Sequence, residues 1–192
     1  MDDDDSGSAM IRLFFLTIPF LFLASACSGP IETRITTHSA AALPKPKHFQ
    51  YSAKPGQDSP SHAIARDLVS AALLDAGFKQ KDAASILVSV AFADRPASIA
   101  VSAGDGPDVE SIAEIKEREF LQSCEDQEHR LSVTIVNQVS GANIYTGTAA
   151  EYHCKAEFGD SLPHLVKAAL SNLGKSVNQD KRTVVNTRAG IE

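Results

Sequence analysis

The chain has 192 residues, a formal net charge of −6, three cysteines and no tryptophan. This length suits one domain plus a targeting segment, and a mildly acidic chain without a basic stripe argues against a nucleic-acid partner. The lack of tryptophan and the aromatic content of 6% also disfavour a sugar site built on ring stacking.

Residues 10–26 have the layout of a secretory signal peptide. Arg12 supplies the positive charge, and residues 13–23 form an apolar run that is too short to span a bilayer. Residues 24–26 read Ala-Ser-Ala and provide the small side chains of a cleavage site. The sequence therefore predicts export.

The stretch before this signal does not fit the same layout. Residues 1–9 carry four aspartates, which oppose the positive charge that orients a signal peptide. Met10 is therefore the expected natural start. We interpret residues 1–9 as an artefact or the result of a misplaced start codon and exclude them from the fold.

Cys27 follows the cleavage region directly, and the sequence LASAC resembles a bacterial lipobox. We predict that Cys27 is acylated with palmitate-type chains and becomes the mature N-terminus, because two or more acyl chains anchor a protein stably. Cleavage after Ala26 that leaves Cys27 as a thiol is the alternative. Ser28 is not aspartate, which favours the outer membrane, with the domain facing the periplasm.

The first elements after the anchor have simple signatures. Residues 27–46 are rich in Ser, Thr, Ala and Pro, and we predict a flexible tether there. Alternating aromatic residues indicate a short strand over 47–53. A helix is predicted over 60–76, with Ser59 as its cap and Pro60 at its first position.

The middle of the chain is predicted to contain strands and one further helix. Alternating apolar residues indicate a strand over 84–93, and 98–103 is expected to be a partner strand. A thin apolar stripe among acidic residues predicts a helix over 109–121. Two strands, 131–138 and 143–154, then form a hairpin through a glycine-containing turn.

The two remaining cysteines, Cys124 and Cys154, flank this hairpin. Facing residues of an antiparallel pair have a constant index sum, and the turn predicts a sum of about 279–283. The cysteine positions sum to 278, so one bulge would align them. We predict a disulfide. Free thiols are one alternative. The other is a zinc site with His129 and His153, although His153 and Cys154, as neighbours on a strand, would point to opposite faces.

Residues 158–163 read FGDSLP and contain the GDSL block of a large class of esterases. Those enzymes also need a general base, an orienting acid and oxyanion donors. Here His164 is the only histidine after Ser161, and no Asp-x-x-His pair follows. We interpret Asp160 or Ser161 as the cap of a helix over 161–173. A hydrolase using Ser161 remains an alternative.

The order of elements resembles a proteobacterial outer-membrane lipoprotein family known as domain of unknown function 4136. The resemblance is carried by the helix end Leu73-x-x-x-Gly77-Phe78, the apolar strand 86–90 and the hairpin 133–147. Asn137 and Tyr145 stand where this family usually has Asp and Trp. The resemblance implies an α+β envelope domain and carries over no catalytic residue.

We therefore predict one α+β domain over 47–174 and a disordered tail over 175–192. Its antiparallel-rich sheet should have four to five strands, with two or three helices packed mainly on one face. We expect no enzyme activity, no cofactor and no metal. The predicted function is a binding or structural role in the cell envelope, with an unknown protein partner. The alternative is a small periplasmic chaperone or adaptor of a secretion, pilus or polysaccharide-export assembly.

Overall fold

The computed structural model describes residues 30–52, 59–103, 110–113, 115–118, 122, 124–175 and 178–189. These residues form nine strands and two helices. In chain order the elements are β1 (Ile31–Ser39), β2 (His48–Tyr51), α1 (Pro60–Asp75), β3 (Lys79–Gln80), β4 (Ile86–Pro96), β5 (Val101–Ala103), β6 (Glu110–Ala113), β7 (Gln127–Asn137), β8 (Asn143–His153), α2 (Phe158–Ala169) and β9 (Asn178–Arg188).

Seven of the strands form one sheet in the order β3-β2-β4-β7-β8-β1-β9. Only the pairs β2–β3 and β2–β4 are parallel, and the other neighbours are antiparallel. Strands β5 and β6 pair with each other in a separate ribbon. The α+β class with an antiparallel-rich sheet is confirmed, but the predicted count of four to five strands is too low.

The two additional long strands come from segments that were predicted to lie outside the domain. Residues 31–39 of the predicted tether form β1, which lies between β8 and β9 inside the sheet. Residues 178–188 of the predicted tail form β9 at the edge. The sequence signal is weak because threonines occupy two of the inward positions of β1, and both Thr33 and Thr37 are buried.

Both helices cover the same face of the sheet, as predicted. Helix α1 packs on β4, and α2 packs on β7, β8 and β1. Helix α1 begins at the predicted cap, where Ser59 Oγ accepts the His62 N–H at 3.2 Å. Its last residue is Asp75, and Gly77, just beyond the cap residue Ala76, has a φ of 81°. The helices enclose a core of apolar side chains that includes Phe49, Val69, Leu73, Ile86, Val88, Leu131, Val133, Ile135, Leu162 and Leu165.

The β7–β8 hairpin is also present as predicted, with Gly141 at a φ of 69° in its turn. Its register gives an index sum of 280 at the pair Gln127–His153, so the strand ends next to the cysteines face each other. Cys124 and Cys154 form a disulfide with a Cα–Cα distance of 5.9 Å. The predicted disulfide is therefore confirmed.

The segment between β4 and β7 differs from its prediction. Residues 110–113 form strand β6 rather than part of a helix, and β5 pairs with β6 rather than with β4. The acidic residues leave too few apolar positions for a helix to bury, so a short surface ribbon forms instead. In the part of the chain that the structure describes, no helix is both long and apolar enough to cross a bilayer.

Candidate functional site

A group of polar side chains is buried on the helix-covered face of the sheet, at the end where β1 begins and β8 ends. We call it the buried polar cluster. Its members are the buried Thr33, His129, Glu151, His153 and Ser161, together with the partly buried Arg188.

Strand register brings these residues together. Glu151 lies between Thr33 on β1 and His129 on β7, as their direct neighbour in the sheet. Because side chains alternate along a strand, His153 points to the same face as Glu151. The first turns of α2 pass over this point and add Ser161 from above.

Glu151 is the centre of the cluster and is fully buried. Thr33 Oγ1 donates to its Oε1 at 2.8 Å, and Arg188 donates from Nε to Oε1 at 2.9 Å and from Nη2 to Oε2 at 2.6 Å. Burial raises the pKa of Glu151, but the hydrogen bonds from Arg188, His153 and Thr33 outweigh it and hold this pKa well below its ordinary value. Glu151 is therefore a buried carboxylate compensated by a two-pronged arginine contact.

The contact between His153 and Ser161 raises the question of a catalytic relay. His153 Nε2 lies 3.0 Å from Ser161 Oγ and 3.4 Å from Glu151 Oε2. A relay needs the serine on one ring nitrogen and the acid on the other. Here both contacts fall on Nε2, and His153 Nδ1 has no hydrogen-bond partner. Ser161 is also fully buried, so this arrangement supports packing rather than attack on a substrate.

His129 and His153 form a ring pair with centroids 4.8 Å apart. His129 Nδ1 is 3.1 Å from Asp94 Oδ1, but this contact lacks hydrogen-bond geometry, and both ring nitrogens are without a well-aligned partner. Burial and the neighbouring His153 lower the pKa of His129, and Asp94 offsets this only in part. His129 is therefore neutral in the folded protein near pH 7.

A second buried carboxylate lies on the opposite face of the sheet. Glu128 is fully buried and forms ion pairs with Arg95 and Arg130. It also accepts a hydrogen bond from Tyr152 Oη at 3.1 Å. Glu151 pairs with His129, the neighbour of Glu128 on β7. Because side chains alternate along a strand, the two glutamates face opposite sides of the sheet. Each is neutralised by arginine, so neither has the free carboxylate that an acid–base catalyst requires.

The cysteines and histidines at this end do not form a metal site. Both sulfurs of the Cys124–Cys154 pair are in the disulfide, which removes the thiolates that the zinc alternative requires. Among the described residues, no three His, Cys, Asp or Glu side chains are placed to hold a metal ion.

The predicted site residues therefore have different outcomes. Cys27 lies outside the described residues, so its acylation stays a prediction. Ser161 is not the cap of α2, because that helix begins three residues earlier, at Phe158. Asp160 takes part in the cap instead, accepting the Glu157 N–H at 3.3 Å.

Sequence reasoning missed most of the buried polar cluster. One signal was available: the inward alternation of Leu131, Val133 and Ile135 continues backward to His129. A polar side chain at a core-facing strand position indicates a buried partner. Arg188 gave no such signal, because β9 shows no alternation of apolar and polar residues: its two valines, Val184 and Val185, are adjacent and its other residues are polar.

No protein-family model matches the chain, and no curated protein matches it. Among solved structures, the chain is similar to a PDZ domain protein from Parabacteroides distasonis, with 10% identity and a TM-score of 0.50. That match covers 81% of this chain and 39% of the other, so this chain spans less than half the length of that protein.

Two structures of PelC dodecamers from Paraburkholderia phytofirmans are also similar, each with 13% identity. They have TM-scores of 0.46 and 0.45, and the matches cover 74% and 77% of this chain against 97% and 99% of the PelC chains. At such low identities, the match to the PDZ domain protein bears on the fold alone.

Proposed function

We propose that this protein is a lipid-anchored lipoprotein on the periplasmic face of the outer membrane, with a non-enzymatic binding role in the cell envelope. The signal-like residues 10–26 and the cysteine that follows them support the anchor. The Cys124–Cys154 disulfide supports an oxidising compartment, because such bonds persist mainly in exported proteins.

The observation that carries the binding role is the unpaired edge of β9. This strand has 11 residues and pairs only with β1, and no other described strand contacts its outer side. Long exposed edges present backbone N–H and C=O groups that can accept a strand from another chain. Of the side chains described on β9, only Val184 and Arg188 are partly buried.

The buried polar cluster supports the non-enzymatic part of the proposal. A catalytic group has to reach a substrate, whereas Ser161 and Glu151 are both inaccessible to solvent. The hydrolase alternative would need α2 to leave the sheet before Ser161 could act. The edge of β9 instead favours an adaptor that joins another envelope protein to its own anchor.

Site-specific photo-crosslinking in intact cells tests this proposal. A photoreactive phenylalanine analogue replaces Val185 on β9 or, as the control, Leu74 on α1; both side chains are 52% exposed. We expect a discrete adduct with another envelope protein from position 185 and none from position 74. Equal labelling from both positions, or no protein adduct from position 185, would refute the binding role of this edge.

A further inference from the structure

The start of β1 restricts where the domain can lie relative to its anchor. Strand β1 begins at Ile31, only four positions after Cys27. An extended chain spans about 3.3–3.6 Å per residue, so these four steps reach at most about 14 Å. If Cys27 carries the lipid, as the proposed function requires, the beginning of β1 must lie close to the bilayer surface.

Strand register shows what else lies at this end of the sheet. Ile31 pairs with Arg188, Gln127 pairs with His153, and Pro96 pairs with Gln127. The last residues of β4, β8 and β9 and the first residues of β1 and β7 therefore form one end. We call it the anchor end. Strands β1 and β4 are three strand spacings apart, or about 14 Å.

Two exposed isoleucines lie at the anchor end, just beyond β4. The chain continues from Pro96 through Ala97, whose C=O accepts the Lys116 N–H at 2.9 Å. This bond holds together the two segments that carry Ile99 and Ile115. These two side chains are 53% and 57% exposed, although isoleucine is among the residue types most often buried.

Charged side chains of both signs accompany these isoleucines. Lys116 follows Ile115 directly and pairs with Asp126 at 2.6 Å, the exposed Glu117 comes next, and the exposed Arg118 after it donates to the Gln122 carbonyl. Exposed apolar side chains next to lysine and arginine are typical of protein surfaces that rest in the headgroup layer of a membrane. Because only four positions separate Cys27 from β1, a lipid on Cys27 would place the headgroup layer of the membrane next to the anchor end.

We propose that the anchor end is a membrane-docking surface, with Ile99 and Ile115 inserted into the interfacial layer of the phospholipid bilayer that holds the lipid. The domain then stands with its sheet strands rising from the bilayer. The hairpin turn at Val139 lies at the far end, because the 11 residues of β7 span about 35 Å. Docking fixes the orientation of the β9 edge relative to the bilayer.

The test uses the purified mature chain, residues 27–192, with its disulfide intact. Cys27 is then the single free thiol and is coupled to a maleimide phospholipid in vesicles of phosphatidylethanolamine and phosphatidylglycerol. A photoreactive residue replaces either Ile115 or Val139, which is 89% exposed at the far end. Intact mass then measures the yield of phospholipid adduct from each position.

We expect at least about a tenfold excess of lipid adduct at position 115 over position 139, since apolar insertion concentrates the probe in the acyl boundary. Ile99→Ser should lower the adduct at position 115, whereas the control Leu74→Ser, at a similarly exposed position on α1, should leave it unchanged.

Equal yields at both positions, or no adduct at either, would overturn the docking surface. An adduct with a second copy of the chain at position 115 would overturn it in favour of self-association. Because the thiol is coupled chemically, these outcomes do not depend on acylation in cells. Failure of the proposed anchor itself would show separately, as an unmodified Cys27 in protein isolated from membranes.

Discussion

Arg188 holds both carboxylate oxygens of Glu151, with Nε 2.9 Å from Oε1 and Nη2 2.6 Å from Oε2. This contact joins the edge strand β9 to β8, near the centre of the sheet. It is important for holding β9 in place, because few of the other described side chains of β9 are even partly buried. It also compensates a carboxylate that is fully removed from solvent. The Arg188–Glu151 ion pair therefore stabilises β9, the edge strand that we propose binds a partner.

Replacing Arg188 should destabilise the fold. Arg188→Ala leaves a buried charge without its main partner, and we expect the free energy of unfolding to fall by about 3 kcal/mol. The loss should not be larger than this, because Thr33 and His153 still contact Glu151 in the variant. Urea denaturation measures it. Arg182→Ala, at an exposed position on the same strand, should change the free energy of unfolding by less than about 0.5 kcal/mol.

Glu151 also makes stability depend on pH. Its pKa is lowered in the folded state, whereas in the unfolded chain it is about 4.3. The stabilisation by Glu151 is therefore complete above about pH 4.3 and is lost as pH falls below it. Denaturation at several acidic pH values should show this loss, and Glu151→Gln should reduce its steepness. An unchanged slope in that variant would contradict the assignment.

A second pH-dependent loss should come from His129 at milder acidity. Its pKa is lowered in the fold by burial and by His153, while the unfolded residue titrates at about 6.5. Protonation thus favours the unfolded state once the pH falls below about 6.5, so stability should decline from pH 7 to pH 5. Conversion of His129→Gln should remove this part of the decline. His164→Gln, at an exposed position, serves as a control and should leave the decline in stability between pH 7 and pH 5 unchanged.

Ser161→Ala separates a packing role from a catalytic one. The hydroxyl group contacts His153 inside the cluster, so its loss should reduce the free energy of unfolding by about 1 kcal/mol. Any slow turnover of a generic aryl ester should remain the same in the variant. Turnover in the natural protein that disappears with Ser161 would revive the hydrolase alternative.

Gly147 should tolerate no side chain. A Cβ built there would overlap the carbonyl of Ala169 in α2, next to the 2.5 Å hydrogen bond from Tyr145 Oη to the same oxygen. Gly147→Ala should therefore destabilise by about 2–3 kcal/mol, measured by thermal or urea unfolding. Gly159→Ala is the matched control, because nothing lies within 4 Å of its added Cβ. It should be neutral or slightly stabilising.

The central part of the fold was predictable because its signals are local. Ser59 and Gly77 specify the ends of α1, and the spacing of Cys124 and Cys154 around one turn specifies their disulfide. The outer strands were not predictable, because β1 buries threonines and β9 buries little. Their identity as strands depends on partners that are distant in sequence, such as Glu151 for Arg188. Ser161 was misplaced because three further residues precede it in α2.

The central claim, a lipid-anchored envelope protein, is tested most directly by the intact mass of the protein isolated from outer membranes. We predict the mass of residues 27–192 with acyl chains attached through glycerol at Cys27, shifting by two hydrogens when the disulfide is reduced. A mass that includes residues before Cys27, or that shows an unmodified Cys27 thiol, would contradict the account.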